Sequence, residues 1–283
     1  LRAIKVLRSQ IADNDGLQQR FQRERIAMQA IVKVPGVAAV HDGGTAADGR
    51  LFLVMDWVPG RSLLVAMEDK ASPFARPDHP DLPALAADLV LQLGRSLDGA
   101  HAHGVIHRDI KPSNVMLPQE PEQGGALEAM LIDFGIASLG EPDSSRTGSV
   151  AVGTPACMAP EVLSGEAVTP RTDVYLLAHL MYRVLTGSRH TVGQIRPPSR
   201  VNRRFGRELD GLFLDALAGE PEDRPATCGE FAEALAGLLA RVPEWEEAAR
   251  RTDEERKRRR AQVEAKKAQE AQARADADRR AGE

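Results

Sequence analysis

The chain has 283 residues, with 37 Lys and Arg against 41 Asp and Glu and a formal charge of -4, so it carries no broad positive field of the kind that recruits nucleic acid. Hydrophobic residues make up 42%, enough to bury a core, while Cys157 and Cys228 stand far apart without CxxC or Cys/His spacing, which argues against a disulfide framework or a zinc site. A reducing cytoplasmic setting follows as the expectation. No apolar run reaches membrane-spanning length, and the best, residues 174–185, is interrupted by His179 and Arg183 and reads as a buried helix.

In chain order, residues 3–7 read as a strand, 16–31 as a helix, and 37–41 and 51–57 as two further strands, which together make a small α+β lobe. Residues 71–83 hold four prolines and no periodicity, so they read as a surface connection. From about Pro83 the pattern turns helical, with Leu85, Leu89, Leu93, Leu97 and Ala100 recurring along one face, and a large helical lobe begins. Residues 118–125 read as an exposed loop. Beyond Val242 apolar residues almost vanish, and 246–283 favour helix by propensity with nothing to bury; a solvated helix or linker is preferred over a coiled-coil segment because no a/d seam is present. The basic cluster 256–260 is flanked by acidic residues and reads as solvated surface. The domain reading is therefore 1–242, split at about 58/59, followed by a tail over 243–283.

The strongest signal is His107-Arg108-Asp109-Ile110-Lys111-Pro112-Ser113-Asn114, followed by Asp133-Phe134-Gly135 and Ala159-Pro160-Glu161. The five fixed letters of H-R-D-x-K-x-x-N arise by chance at roughly one in a million positions, and the ordered companions make accident implausible. These motifs resemble those of the eukaryotic-like, Hanks-type Ser/Thr protein kinases, and the resemblance runs from Leu1 to about Leu239. It implies a two-lobed α+β fold, ATP and Mg2+ as cofactors, and protein Ser/Thr hydroxyls as acceptors.

The resemblance also implies roles. Asp109 would orient the acceptor hydroxyl and take its proton, Lys111 would face the transferring phosphoryl, and Asn114 and Asp133 would supply oxygen ligands to magnesium. Arg2-Ala3-Ile4-Lys5 is similar to the strand whose Lys pairs with the ATP phosphates and with a helix Glu, here Glu24. Residues 53–58 look like the hinge, with Met55 as gatekeeper and the Asp56 and Val58 backbone meeting adenine. Asp173 would brace the catalytic-loop backbone, Glu161 would pair with Arg224, and Met28, Val40, His107 and Phe134 would form a hydrophobic column, so that His107 packs rather than transfers protons.

Lys111 and Gly153-Thr154-Pro155 resemble the Ser/Thr rather than the tyrosine kinases, with Thr154 near Asp109 and Lys111. Arg108 marks control by loop phosphorylation, with Ser144, Ser145, Thr147 and Ser149 as possible autophosphorylation acceptors. Some features depart from the pattern. No Gly-rich loop precedes the Lys strand, so the chain reads as N-terminally truncated, weak or inactive as a fragment, with that strand's edge exposed. Cys157 and Ala178 stand where Tyr and Gly are usual, and 187–210 is short for the extra helix expected there. The competing reading is a kinase-fold binding or scaffold protein with little catalysis; degraded motifs would mark it, and here they are intact.

Overall fold

The computed structural model describes residues 1–7, 15–118, 127–134, 158–188 and 196–281, with side chains given in 18–19, in 21–30 and up to 265 in the last helix. The first unit, Leu1–Ala240, begins with an antiparallel three-stranded sheet of order β1-β3-β2, built from β1 (Arg2–Val6), β2 (Val40–Thr45) and β3 (Leu51–Asp56), with α1 (Asp15–Ala30) between β1 and β2 in the chain. The sequence places β2 too early, at 37–41, because Val37 is apolar and β-prone; Val37 instead makes a lone parallel bridge to Leu131, tying the small lobe to the large. Apolar side chains from both elements close the lobe. Phe21 and Met28 of α1 pack on Val40, Leu51, Leu53 and Met55 of the sheet, all buried. β1 is an edge strand whose alternation turns Ile4 outward, 67% exposed, and keeps Lys5 on the inner side.

β3 leads through Trp57 and Val58 into Gly60, which has φ +90° and where an added Cβ would lie 2.1 Å from the Leu117 carbonyl oxygen. Only glycine fits both the left-handed backbone and that close approach. A second small sheet follows, of order β4-β5-β6, from β4 (Arg61–Ser62), β5 (Val115–Leu117) and β6 (Met130–Leu131). Ser62 caps α2 (Leu63–Glu68) by accepting from the Val65 N–H.

The connection over 71–83 is not wholly surface: Phe74, in the 3-10 turn Pro73–Ala75, is 3% exposed, because apolar burial outweighs the proline signal around it. α3 (Leu82–His101) starts at Leu82, and its buried stripe runs through Leu82, Ala86, Leu89, Leu93, Leu97 and Ala100, with Leu85 only half-buried. It packs on α5 and α8. α4 is Pro160–Ser164, α5 is Pro170–Thr186, α6 is Pro198–Val201, α7 is Arg207–Ala216 and α8 is Cys228–Leu239. α5 is the buried helix expected for 174–185; the Thr169/Thr172 capping box opens it and left-handed Gly187 closes it. At Gly94 an added Cβ would lie 2.7 Å from Ala232 Cβ, so α3 and α8 approach closely there. In the short 187–210 region, α6 is the one helix lying wholly among the described residues, and its Ser199 Oγ donates to the Asp210 carboxylate at 2.6 Å.

The second unit, Arg241–Glu283, is α9 (Val242–Ala281). Every described side chain from Ala248 to Ala265 is exposed, and Glu247 pairs with Arg250 at 2.7 Å and Arg251 at 2.9 Å. Such a helix rests on propensity and i,i+3/i+4 pairs rather than on burial. Among the described residues no helix is long and apolar enough to cross a membrane.

Candidate active site

Residues 107–114 carry the dense part of the site, and the backbone there is held from below by α5. The Asp173 carboxylate, fully buried, accepts the His107 N–H at 2.8 Å and the Arg108 N–H at 2.9 Å. It also meets His101 Nε2 at 2.7 Å. A buried carboxylate is tolerable only when its lone pairs are taken up in this way. With its amide fixed, Arg108 adopts φ +67°, a left-handed conformation that costs a non-glycine residue about 1 kcal/mol or more. Asp133 does the same at φ +66°. Both strained residues lie at the cleft.

Above this brace the polar groups converge. Lys111 Nζ donates to both Asp109 oxygens, at 2.9 and 2.6 Å. Asn114, 5% exposed in the 3-10 turn Pro112–Asn114, donates from Nδ2 to the Asp109 carbonyl at 2.8 Å and to its carboxylate at 2.9 Å. That anchoring leaves Asn114 Oδ1 as its acceptor, approached by Ser113 Oγ only at 3.5 Å. The Ile132 N–H donates to the Asn114 carbonyl at 3.0 Å and so sets Asp133 beside the loop. Asp133 in turn meets Lys5 Nζ at 2.7 Å, across from the sheet. Two contact groups thus face the cleft, Lys5–Asp133 and Asn114–Asp109–Lys111, joined through the Ile132 N–H bond to the Asn114 carbonyl.

The expected Lys5–Glu24 pair is corrected. Lys5 faces Asp133, and Glu24 Oε1 lies 3.6 Å from Arg108 Nη1. The physical reason is a choice among carboxylates: Asp133 reaches Lys5 across the cleft, while Arg108, turned outward by its left-handed backbone, offers Glu24 a cation of its own. Sequence order cannot say which of several opposite charges will be nearest.

At the hinge, Met55 is 7% exposed and lines a small space with Met28, Ile31, Ala38, Val40, Asp133 and Phe134. Asp56 uses its side chain structurally, accepting the Ala39 N–H at 3.1 Å and meeting His41 at 2.7 Å and Arg2 at 2.8 Å. The His41 contact, with the Ala39 N–H and Arg2, outweighs burial and holds its carboxyl below the usual range. Its N–H is spent on the Ala39 carbonyl, so the backbone group it can offer a base is its carbonyl. Val58 is buried two residues on.

His107 stacks on Phe134 with ring centroids 4.3 Å apart, and its Nδ1 accepts the Asp109 N–H at 3.3 Å. Burial pushes its pKa down, against the nearby Asp173 and Asp109 charges, and favours the neutral ring. Met28 and Val40 are also buried and, with Phe134, line the small space beside Met55. Glu161 and Arg224, buried to 1% and 0% of their side chains, form a two-point pair at 2.8 Å each, and Thr172 Oγ1 donates to Glu161 at 2.7 Å. Burial raises the Glu161 carboxyl, but the Arg224 and Thr172 bonds outweigh it and the net displacement is downward. Arg224 also reaches the Ala218 and Gly219 carbonyls and lies over the Tyr175 ring.

Ser144, Ser145, Thr147, Ser149, Gly153, Thr154, Pro155 and Cys157, and Gly135 with them, lie outside the described residues. Two residues escape a reading of the sequence: His101, which holds Asp173, and Asp98, which accepts the Cys228 and Gly229 N–H groups at 3.0 and 2.9 Å. Their signal was a polar residue pair interrupting the apolar stripe at the end of α3.

Comparison with known proteins agrees with this geometry. The family described as protein kinase domain matches residues 1–255. The Ser/Thr-protein kinase PknH of Mycobacterium bovis is 33% identical over 252 residues, covering 84% of this chain and 39% of that protein. The Ser/Thr-protein kinase PknB of Mycolicibacterium smegmatis is 35% identical over 247 residues, covering 81% of this chain and 37% of that protein. The chain thus spans about two fifths of these relatives' length. The crystal structure of the Mycobacterium tuberculosis PknI kinase domain aligns with a TM-score of 0.63 at 30% identity, over 84% of this chain and 85% of that one. The fold is thereby that of bacterial Hanks-type kinase domains, and the chain belongs to the protein kinase domain family.

Proposed function

We propose that the protein containing this chain transfers the γ-phosphoryl of ATP to Ser or Thr hydroxyls of proteins. The observation that supports this reading is the approach of two contact groups, Lys5–Asp133 and Asn114–Asp109–Lys111, joined through the Ile132 backbone, which gathers one carboxylate base, two cations and two oxygen donors at one cleft. Phosphoryl transfer asks for little beyond such positioning and charge.

Asp109 orients the acceptor hydroxyl and takes its proton. Its carboxylate is kept in place by Asn114 Nδ2 and neutralised by Lys111, which then turns to the phosphoryl oxygens as substrate enters. Lys5 exchanges Asp133 for phosphate oxygens, and the carboxylate so released joins Asn114 Oδ1. These two donors are oxygen only and suit a hard cation, so they would hold Mg2+. Magnesium bound there supplies charge neutralisation on the phosphates. Met55 and the Asp56 and Val58 backbone border the adenine position. The intact polar set favours catalysis over a purely scaffolding role.

Autophosphorylation within 144–149 belongs to the same reading: a loop phosphate would compete with Glu24 for Arg108 and leave Glu24 for Lys5. The test is radiolabelled transfer from ATP by the full-length protein to itself and to a generic basic protein, wild type beside Asp109→Asn, with the labelled residues mapped. Label on Ser or Thr that vanishes in the variant supports the proposal. Equal labelling by both chains refutes it.

A further inference from the structure

Outside the cleft, three side chains of different chemistry meet where α3 passes the N-terminus of α8. Asp98, His101 and Cys228 each offer a ligating atom, and these atoms all lie within 4.8 Å of one another. We propose that they form a site for a borderline-soft divalent cation of the zinc class, seated between α3 and α8 with a solvent oxygen in the fourth position.

The placement is built by two helices. Asp98 and His101 are three residues apart on α3 and share a face, and Cys228 is the first residue of α8, brought close because Gly94 lets the two helices touch. A tetrahedral zinc site with one S, one N and one O ligand has donor–donor edges of about 3.3–3.8 Å, so the three groups need to close by roughly an ångström. Asp98, 34% exposed on its side chain, gives an ion its entrance.

The orientation of His101 is the second observation. Its side chain is 9% exposed, and its Nε2 is bound to the fully buried Asp173 carboxylate at 2.7 Å. In the tautomer that donates Nε2–H to that carboxylate, Nδ1 carries the ligating lone pair, and it lies 3.9 Å from Asp98 Oδ1. A carboxylate fixing the far nitrogen of an imidazole is the arrangement that orients histidine ligands in metal sites. Capping of α8 explains Asp98 taken alone, since its oxygens accept the Cys228 and Gly229 N–H groups, but a carboxylate has about four lone-pair positions and two remain. The cap requires neither a thiol nor an imidazole beside it.

Charge fits as well. Burial, with the Asp173 and Asp98 carboxylates, pushes the Cys228 thiol well above its ordinary pKa, so without a cation it stays protonated. A divalent ion compensates the nearby carboxylates and takes the place of the thiol proton, which leaves to solvent. The sulfur and nitrogen donors exclude magnesium, so this site is chemically distinct from the oxygen-only pair at the cleft. Through His101 and Asp173 it would stiffen the loop backbone at His107 and Arg108.

The test uses the whole 283-residue chain carrying Cys157→Ser, titrated with Co2+ as a spectroscopic stand-in for Zn2+. We expect thiolate-to-cobalt absorption saturating at one ion per chain, reversed by Zn2+ and not by Mg2+, and lost in Cys228→Ala. Asp98→Asn and His101→Gln should each weaken binding at least about tenfold. Far-UV circular dichroism checks folding, and Cys228→Ser replaces Cys228→Ala should the alanine variant unfold. Absence of the band, its survival without the Cys228 thiol, or unchanged affinity in both the Asp98 and His101 variants overturns the proposal. Oxygen-bound Co2+ at the cleft gives no such band.

Discussion

Two groups of charges in this chain are wired in opposite ways. In the large lobe, Asp173 and the Glu161–Arg224 pair are fully buried, and each charge is met by several hydrogen bonds from fixed backbone or side-chain donors. In the cleft, Lys5–Asp133, Glu24–Arg108 and Lys111–Asp109 are pairs of part-exposed side chains, most with a single partner. Buried pairs cannot change partners without leaving a desolvated charge behind, whereas water can take over for an exposed one at little cost. The first group is therefore a platform, and the second a set of charges that can change partners.

The largest expected effect lies on the cleft side. Asp109→Asn in the full-length protein should lower kcat about 10²- to 10⁴-fold while moving the urea midpoint little, because its carboxylate is part-exposed and its Asn114 contact tolerates an amide. A variant that lost activity only through unfolding would erase the contrast between the two groups.

On the platform side the order reverses. Glu161→Ala should cost about 3–5 kcal/mol in urea denaturation, since it strands the buried Arg224 guanidinium and the Thr172 hydroxyl. A loss under about 1 kcal/mol would mean that water reaches the pair and that it is not a platform element.

Acid should separate the groups further. The His107 pKa is depressed by burial, so the unfolded chain binds more protons than the folded one below about pH 6.5, and stability falls as the pH drops through that region. Glu161, lowered in the folded state, adds a second loss below its ordinary value of 4.5. His107→Phe should flatten the first part of the curve and leave the second. Unfolding free energies measured from about pH 7 to about pH 3 would show it, and an unaltered slope in the variant would place the titration elsewhere.

The smallest effect belongs to Glu24→Gln. Its contact with Arg108 is long and solvent-screened, so stability should change by less than about 1 kcal/mol in the same denaturation measurement. A cost near that of Glu161→Ala would dissolve the distinction between fixed and exchangeable charges.

The letters of the chain determined the two-lobed α+β fold and the family, and the resemblance they carry implied the Glu161–Arg224 pair and the Asp173 brace on the loop backbone, though not His101 beside it. The fold and family are legible because motif order and apolar periodicity can be read along the chain itself. The exact span of β2 and the burial of Phe74 were misread, since β-propensity and proline content are weak beside tertiary packing. Tertiary structure alone decided that Lys5 faces Asp133 while Glu24 faces Arg108, for half-exposed charges choose among neighbours by distance. It alone also brought Cys228 to Asp98 and His101. No spacing rule sees ligands separated by more than a hundred residues and joined only by helix packing, so a sequence that argues against a metal site still folds to juxtapose these three donors.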